Sequence, residues 1–219
     1  MLLTPVTFFK PSSGSYHADA QDFFDRADTN GGTLTTAEKA AVDTWFRAWD
    51  VSTYKSNLIK VFLCVGDMAA QLVPAIDTIS SGNATGINTV SSDFNSTGMH
   101  GDGISKAIDF KIKPSEFGSL NDVAVSFYSQ SNWSANGYDY GATQSASAVL
   151  SSAYYPNTFY SEMRSRYGGG LHTFTYTGTK LGLFIRQKDG STHSAFHRNS
   201  NGFSTLNTKV GTSGSISSR

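Results

Sequence analysis

The sequence predicts a mainly β protein: a helical region over residues 1–80, then an antiparallel β sandwich, or jelly roll, over 81–219. Three observations carry this. Ser, Thr and Asn make up 65 of 219 residues, with 21 Gly and 13 % aromatics, while Glu38, Glu116 and Glu162 are the only glutamates beside 14 Asp. Helical surfaces draw on Glu, Lys and Leu, whereas hydroxyl residues, Gly and aromatics suit strands and tight turns. The apolar spacing changes from helical to period two after Ile79. Formal charge changes sign at the same place, from nine acids and six bases in 1–80 to eight acids and eleven bases in 81–219.

The first helix is predicted from Ala20, Phe23, Phe24 and Ala27, an i, i+3, i+4, i+7 stripe, with Asp19, Asp22 and Asp25 on the other side. Acids in the first turn suit the positive helix end, and Asn30-Gly31-Gly32 ends the segment. A second helix begins near Thr35, because Thr35-Thr36-Ala37-Glu38 has capping-box spacing. Its expected stripe is Val42, Trp45, Phe46 and Trp49. Two indoles on one face call for a covering surface. A short third helix is expected from Asp67 to Val73, stopped by Pro74.

Strands follow. Val123, Val125 and Phe127 alternate with Ala124, Ser126 and Tyr128, and Thr173 to Thr177 alternates likewise. Leu181, Leu183 and Ile185 lead into Lys188-Asp189-Gly190-Ser191, whose Asp-Gly signals a two-residue hairpin. His193, Ala195 and His197 return on the partner strand, and Asn199-Ser200-Asn201-Gly202 makes the next turn. Val123, Val125, Phe127, Leu181, Leu183 and Ile185 are expected to face inward together.

Composition excludes several classes. Seventeen bases balance seventeen acids, against a nucleic-acid binder or a polybasic membrane-surface protein. Cys64 stands alone, which leaves no internal disulfide and no cysteine metal cage. The first fourteen residues lack the basic start of a signal peptide. The apolar run Leu58 to Val65 is interrupted by Lys60 and is too short to span a bilayer. A soluble chain made in the cytoplasm is the expectation.

Five stretches in order resemble a class of tailed-phage virion proteins that carry a concanavalin-like (LamG-type) jelly roll behind a small helical region. They are Phe23 to Trp49, Lys60 to Leu72, Phe94 to Phe110, Asn121 to Tyr128 and Leu181 to Phe203. The five stretches are spread over residues 23–203 and hold 88 of the 219 residues, and the weight of the resemblance lies in their order. It implies a structural component of a bacteriophage particle (fibre, tail or decoration), located in the virion and assembled in the host cytoplasm. The implied partners are other virion proteins and further copies of the chain. The class has no required catalytic residues. Its members continue with closing strands beyond the equivalent of Val210 to Arg219, which implies an incomplete C-terminal sheet and a chain that assembles rather than standing as a monomer.

The chemistry-bearing residues are read as follows. Asp28 to Glu38 has the outline of a calcium loop, but counting back from Glu38 puts Ala27 at position one and Gly31 at position five, so a plain interhelical turn is expected. His193 and His197 lie four apart in a strand, about 13 Å, too far for one ion. A glycosidase on this fold needs two facing carboxylates, and Glu116 and Glu162 stand alone in turn-like contexts, while Asp109 has no acid two or four residues away. Gly168-Gly169-Gly170 lacks the Lys-Ser or Lys-Thr of a phosphate loop. Trp133, Tyr138 and Tyr140 fall in a Gly/Asn/Ser loop as a glycan or subunit contact, with subunit packing preferred. The expectation is a non-enzymatic protein without cofactor or metal, with no nucleic-acid partner and no membrane insertion. A carbohydrate-binding lectin for host attachment to a surface glycan is the alternative, and a glycoside hydrolase comes third.

Overall fold

The computed structural model describes residues 15–52, 55–96, 98–102, 105–112, 122–129, 137–145, 148–155, 158–164, 172–175, 182–189, 192–199 and 202–210. The elements in order are α1 (Ala18–Thr29), α2 (Thr36–Asp50), β1 (Lys60–Phe62), α3 (Met68–Gln71), β2 (Pro74–Asp77), β3 (Thr85–Ile87), β4 (Phe94–Asn95), β5 (Gly98–Met99) and β6 (Ala107–Asp109). Longer strands follow: β7 (Asp122–Ser129), β8 (Gly137–Ser145), β9 (Ala148–Tyr155), β10 (Thr158–Arg164), β11 (His172–Thr175), β12 (Gly182–Asp189), β13 (Thr192–Asn199) and β14 (Gly202–Val210).

They form two compact units, and the division is interlaced where a single break near residue 80 was expected. The first unit takes the described residues through Ala84 and also Val90–Met99; the second takes Thr85–Thr89 and the described residues from His100 onward. Pairing explains the interlacing. β3 pairs with β6 and so belongs to the later unit, whereas the β4–β5 hairpin is tied to α3 by Gln71 Nε2 donating to the Asn95 carbonyl at 3.1 Å.

In the first unit, the predicted α1 stripe is the one buried: Ala20, Phe23, Phe24 and Ala27. The helix closes in a Schellman motif, with the Gly32 amide donating to the Ala27 carbonyl at 2.8 Å and the Gly31 amide to Asp28 at 2.8 Å. Gly31 sits at φ +79°, which a side chain would oppose. In α2 only Val42 and Phe46 are buried. Trp45 and Trp49 are half-buried, their rings 5.8 Å apart, with Trp45 edge-on to Phe46 at 4.9 Å. The expected four-residue stripe is therefore two residues wide at its centre, the indoles flanking it. Phe23, Phe24, Val42 and Phe46 close a core with Val73 and Ala75 of the α3–β2 segment, edged by Tyr16, Leu34, Leu63 and Ile76. Phe23 and Phe24 are thus covered inside their own unit.

β1 and β2 pair antiparallel, Lys60 opposite Asp77. The Lys60 side chain is almost fully buried, and its Nζ donates to Ser81 Oγ at 2.5 Å and to the Gly82 carbonyl at 2.7 Å, with Asp77 Oδ2 at 3.5 Å. A buried ammonium is tolerated only when its donors are satisfied in this way.

In the second unit, β14-β13-β12-β7 and β11-β10-β9-β8 are two four-stranded antiparallel sheets. The chain leaves the first sheet after β7, builds the second as a meander, and returns at β12. Asp189 pairs with Thr192 and Asn199 with Gly202, so two residues separate the strands at each turn, the first one residue later than the Asp189-Gly190 centre read from sequence. The β8–β10 meander was not read at all, and it places Glu162 opposite Ser151 within β10 rather than in a turn.

The register corrects the predicted inner face. Leu183 pairs with Tyr128 and Ile185 with Ser126, while Val125 pairs with Arg186 and Phe127 with Phe184. Directly opposite residues share a face, so Leu183 and Ile185 lie on the face of Ser126 and Tyr128, not on that of Val123, Val125 and Phe127. Ala124, Ser126 and Tyr128 are exposed, and Leu183 and Ile185 are half-buried beside them. Leu181 and the expected incomplete strand of 211–219 lie outside the described residues.

Candidate functional site

The first unit holds a groove of about 790 Å³ lined by α1, the segment around Lys55 and β2. Helical spacing sets Asp22 and Arg26 one turn apart. Arg26 Nε donates to Asp22 Oδ2 at 2.8 Å, and its terminal nitrogens reach the Pro74 and Ala75 carbonyls at 2.5 and 3.3 Å. Arg26 thus ties α1 to the strand edge, and Asp22 balances its charge.

At the helix start, His17 is the N-cap. Its Nδ1 accepts from the Asp19 amide at 3.2 Å, which leaves Nε2 to carry the proton and donate to Asp50. The imidazole stacks on Phe46 at 6.0 Å. Its own amide donates to Asp43 Oδ1 at 2.6 Å, and Arg47 Nε holds Asp43 Oδ2 at 2.8 Å. Burial works to raise the Asp43 carboxyl, but the Arg47 and His17 hydrogen bonds outweigh it and hold the carboxyl below its ordinary range.

His17, Asp19 and Asp50 bring three possible metal-ligand atoms within 4.8 Å of one another. Lys55 Nζ donates to Asp19 Oδ2 at 2.6 Å and to Asp50 Oδ1. The positive charge that such a carboxylate pair attracts is thus supplied by the chain itself. Hydrogen bonds from Lys55 and His17 lower the Asp50 carboxyl, and those that Lys55 donates to Asp19 and Asp50 raise its ammonium, so each favours its charged form. A glycosidase acid must keep its proton near neutral pH. Asp50 is tuned the opposite way.

A second cluster joins the starts of α2 and α3. Glu38 Oε2 accepts from the Thr35 amide at 2.7 Å and its hydroxyl at 2.8 Å, completing the predicted capping box, while Oε1 accepts from the Gly66 amide at 2.8 Å. Asp67 caps α3 through Ala70 at 3.0 Å and reaches back to the Thr33 amide at 3.1 Å and hydroxyl at 2.6 Å. Each carboxylate caps its own helix and clasps the turn before the other. Burial opposes ionisation of both, yet the amide and hydroxyl donors prevail and both carboxyls sit below their ordinary values. Both Glu38 oxygens are occupied by protein donors, so the Asp28-to-Glu38 segment works as an interhelical turn.

The predicted contact residues are not brought together by anything described. Trp133 lies outside the described residues. Tyr138 and Tyr140 belong to β8, not to a loop, opposite Ala153 and Ser152 with a bulge between them. His193 and His197 lie on β13, opposite Lys188 and Phe184. Asp109 accepts from the Lys111 amide and ammonium at 2.9 and 2.8 Å. The network around Lys55 and the Glu38–Asp67 clasp were missed by sequence reasoning. For the clasp a signal existed, in Asp67 three residues before Ala70. For Lys55 there was none, because its partners come from two other segments. Among the described residues no helix is long and apolar enough to cross a membrane. No family model, curated protein or solved structure matches the chain.

Proposed function

We propose that the chain is a non-enzymatic structural component of a bacteriophage particle that assembles in several copies, with its two four-stranded sheets stacked as a concanavalin-like jelly roll. The observation that supports this most is how the first unit spends its carboxylates. Asp19, Asp22, Glu38, Asp43, Asp50, Asp67 and Asp77 each accept a backbone amide or a basic side chain. They work as caps and struts, and Asp50 keeps no proton to donate at neutral pH. The five ordered stretches agree with the reading, as do the long antiparallel strands ending at β7 and β14 in one sheet and at β8 and β11 in the other. Edge strands present unpaired backbone groups that a neighbouring copy can complete. The test is light scattering on the full chain over a range of concentrations, with electron microscopy of purified particles to locate it. Defined multimers and a place in the particle are expected. A monomer at every concentration, or turnover of a glycan lost on mutating one Asp or Glu, overturns the reading.

A further inference from the structure

The outer edges of the two sheets in the second unit differ in how they are guarded. β14 carries Lys209 and a bulge at Leu206, since Asn207 and Thr205 pair with consecutive residues of β13. β8 is bulged twice, at Asp139 and at Gln144. β11 is four residues long and lies beside β14. β7 has none of these features. Its eight residues keep unbroken register against β12, from Asp122 opposite Asp189 to Ser129 opposite Gly182. After Asp122 it holds no charge, no Pro and no Gly. Ala124, Ser126 and Tyr128 are exposed, and among the described residues no strand pairs with its outer edge.

Bulges, charges and short length keep an edge strand from pairing, and an edge without them is a template for another strand. We propose that β7 is where two copies of this chain join, edge to edge and antiparallel, into one eight-stranded sheet. This rests on the assembly reading and names its contact. The chain has no net charge, so copies do not repel one another at a distance. Local charge selects the direction. Parallel pairing in register would set Asp122 against Asp122, whereas a two-fold axis normal to the sheet sends the two acids to opposite ends. Such an axis keeps each residue on its own face, and directly opposite residues share a face, so it passes through a residue. Through Ser126 it pairs the whole of Val123 to Ser129, sets Val125 opposite the partner's Phe127 and leaves Asp122 outside. Through Val125 it would bring Asp122 into the paired stretch.

The test uses the full chain. With the exposed Cys64 removed by Cys64→Ser, Ser126→Cys puts two thiols on the axis. Opposite residues of an antiparallel pair have Cα atoms about 4.5–5.5 Å apart, within reach of a disulfide. Oxidation with copper phenanthroline is expected to give a covalent dimer on a non-reducing gel, and Ser204→Cys, on β14, is expected to give none. Ser126→Lys sets like charges opposite each other and should raise the dissociation constant of the dimer, read by analytical ultracentrifugation, about fivefold or more. Ser126→Thr should leave it unchanged, and circular dichroism of each variant separates lost pairing from lost folding. Multimers of the parent chain that form no Ser126→Cys disulfide, that survive Ser126→Lys, or that are lost equally in Ser126→Thr overturn the β7 contact and leave the assembly reading standing. A parent chain that is monomeric at every concentration overturns both.

Discussion

The two units are held by different means. In the helical unit, short-range hydrogen bonds between side chain and backbone fix the start of each helix, and a few aromatics from α1 and α2 fill one core. In the β unit the elements are held by cross-strand register, and nothing local says which neighbour a strand takes. Errors of reading follow the same division. The end of α1, the start of α2 and the α1 stripe were legible residue by residue, whereas the predicted inner face of the sheet was split between two faces by register. A cap is decided within four residues of sequence; a face is decided by a partner some sixty residues away.

The largest effect that sharpens this contrast is expected from Phe46→Ala. Phe46 is fully buried between His17 and Trp45, and such truncations cost about 3–5 kcal/mol. Urea unfolding followed by tryptophan fluorescence reports it, since Trp45 and Trp49 border the site. Tyr128→Ala, at an exposed position on β7, should shift the same curve by less than about 0.5 kcal/mol. Equal losses would erase the distinction between the units.

Next comes Gly66→Ala. Gly66 has φ +75°, and an added Cβ would lie 2.5 Å from the Thr33 carbonyl oxygen. Strain and the clash together should cost about 1–3 kcal/mol and open the clasp. Gly31→Ala meets nothing within 4 Å and should cost less, from its backbone conformation alone. Thermal melts of the two variants side by side make the comparison.

The clasp should also respond to acid. Glu38 and Asp67 have folded values depressed below their ordinary 4.5 and 3.8. Their stabilisation is therefore fully present above those pH values and is lost as pH falls through the lower folded ones. A melting temperature flat near neutrality and falling below about pH 4.5 is expected. Glu38→Gln should lower it by the loss of a cap, about 1 kcal/mol, and flatten the acid limb. An unchanged acid limb in that variant would remove the clasp from the account.

The smallest effect is expected at Lys55→Met. Lys55 is raised above its ordinary 10.5 by Asp19 and Asp50, so its contribution is present below that pH and lost as pH rises through the folded value. The pairs are partly exposed and screened by salt. A slight loss of stability in low salt that vanishes in high salt is the expected result, and a large salt-independent loss would make the network a core element.

The sequence by itself determined where α1 ends and α2 begins, the buried stripe of α1, the capping box at Thr35 and Glu38, and the presence of the two hairpins around Gly190 and Asn201, the first to within one residue. Each depends on the conformational preference of residues adjacent in the chain. Tertiary structure alone decided that Glu38 reaches Gly66, that Asp67 returns to Thr33, and that Lys55 fills the space between Asp19 and Asp50. It alone set Leu183 beside Tyr128. A carboxylate's second partner and a strand's register are chosen by where distant segments pack. Shifting a strand by one residue leaves its alternation intact and reverses its faces, so no pattern within one strand can decide between them.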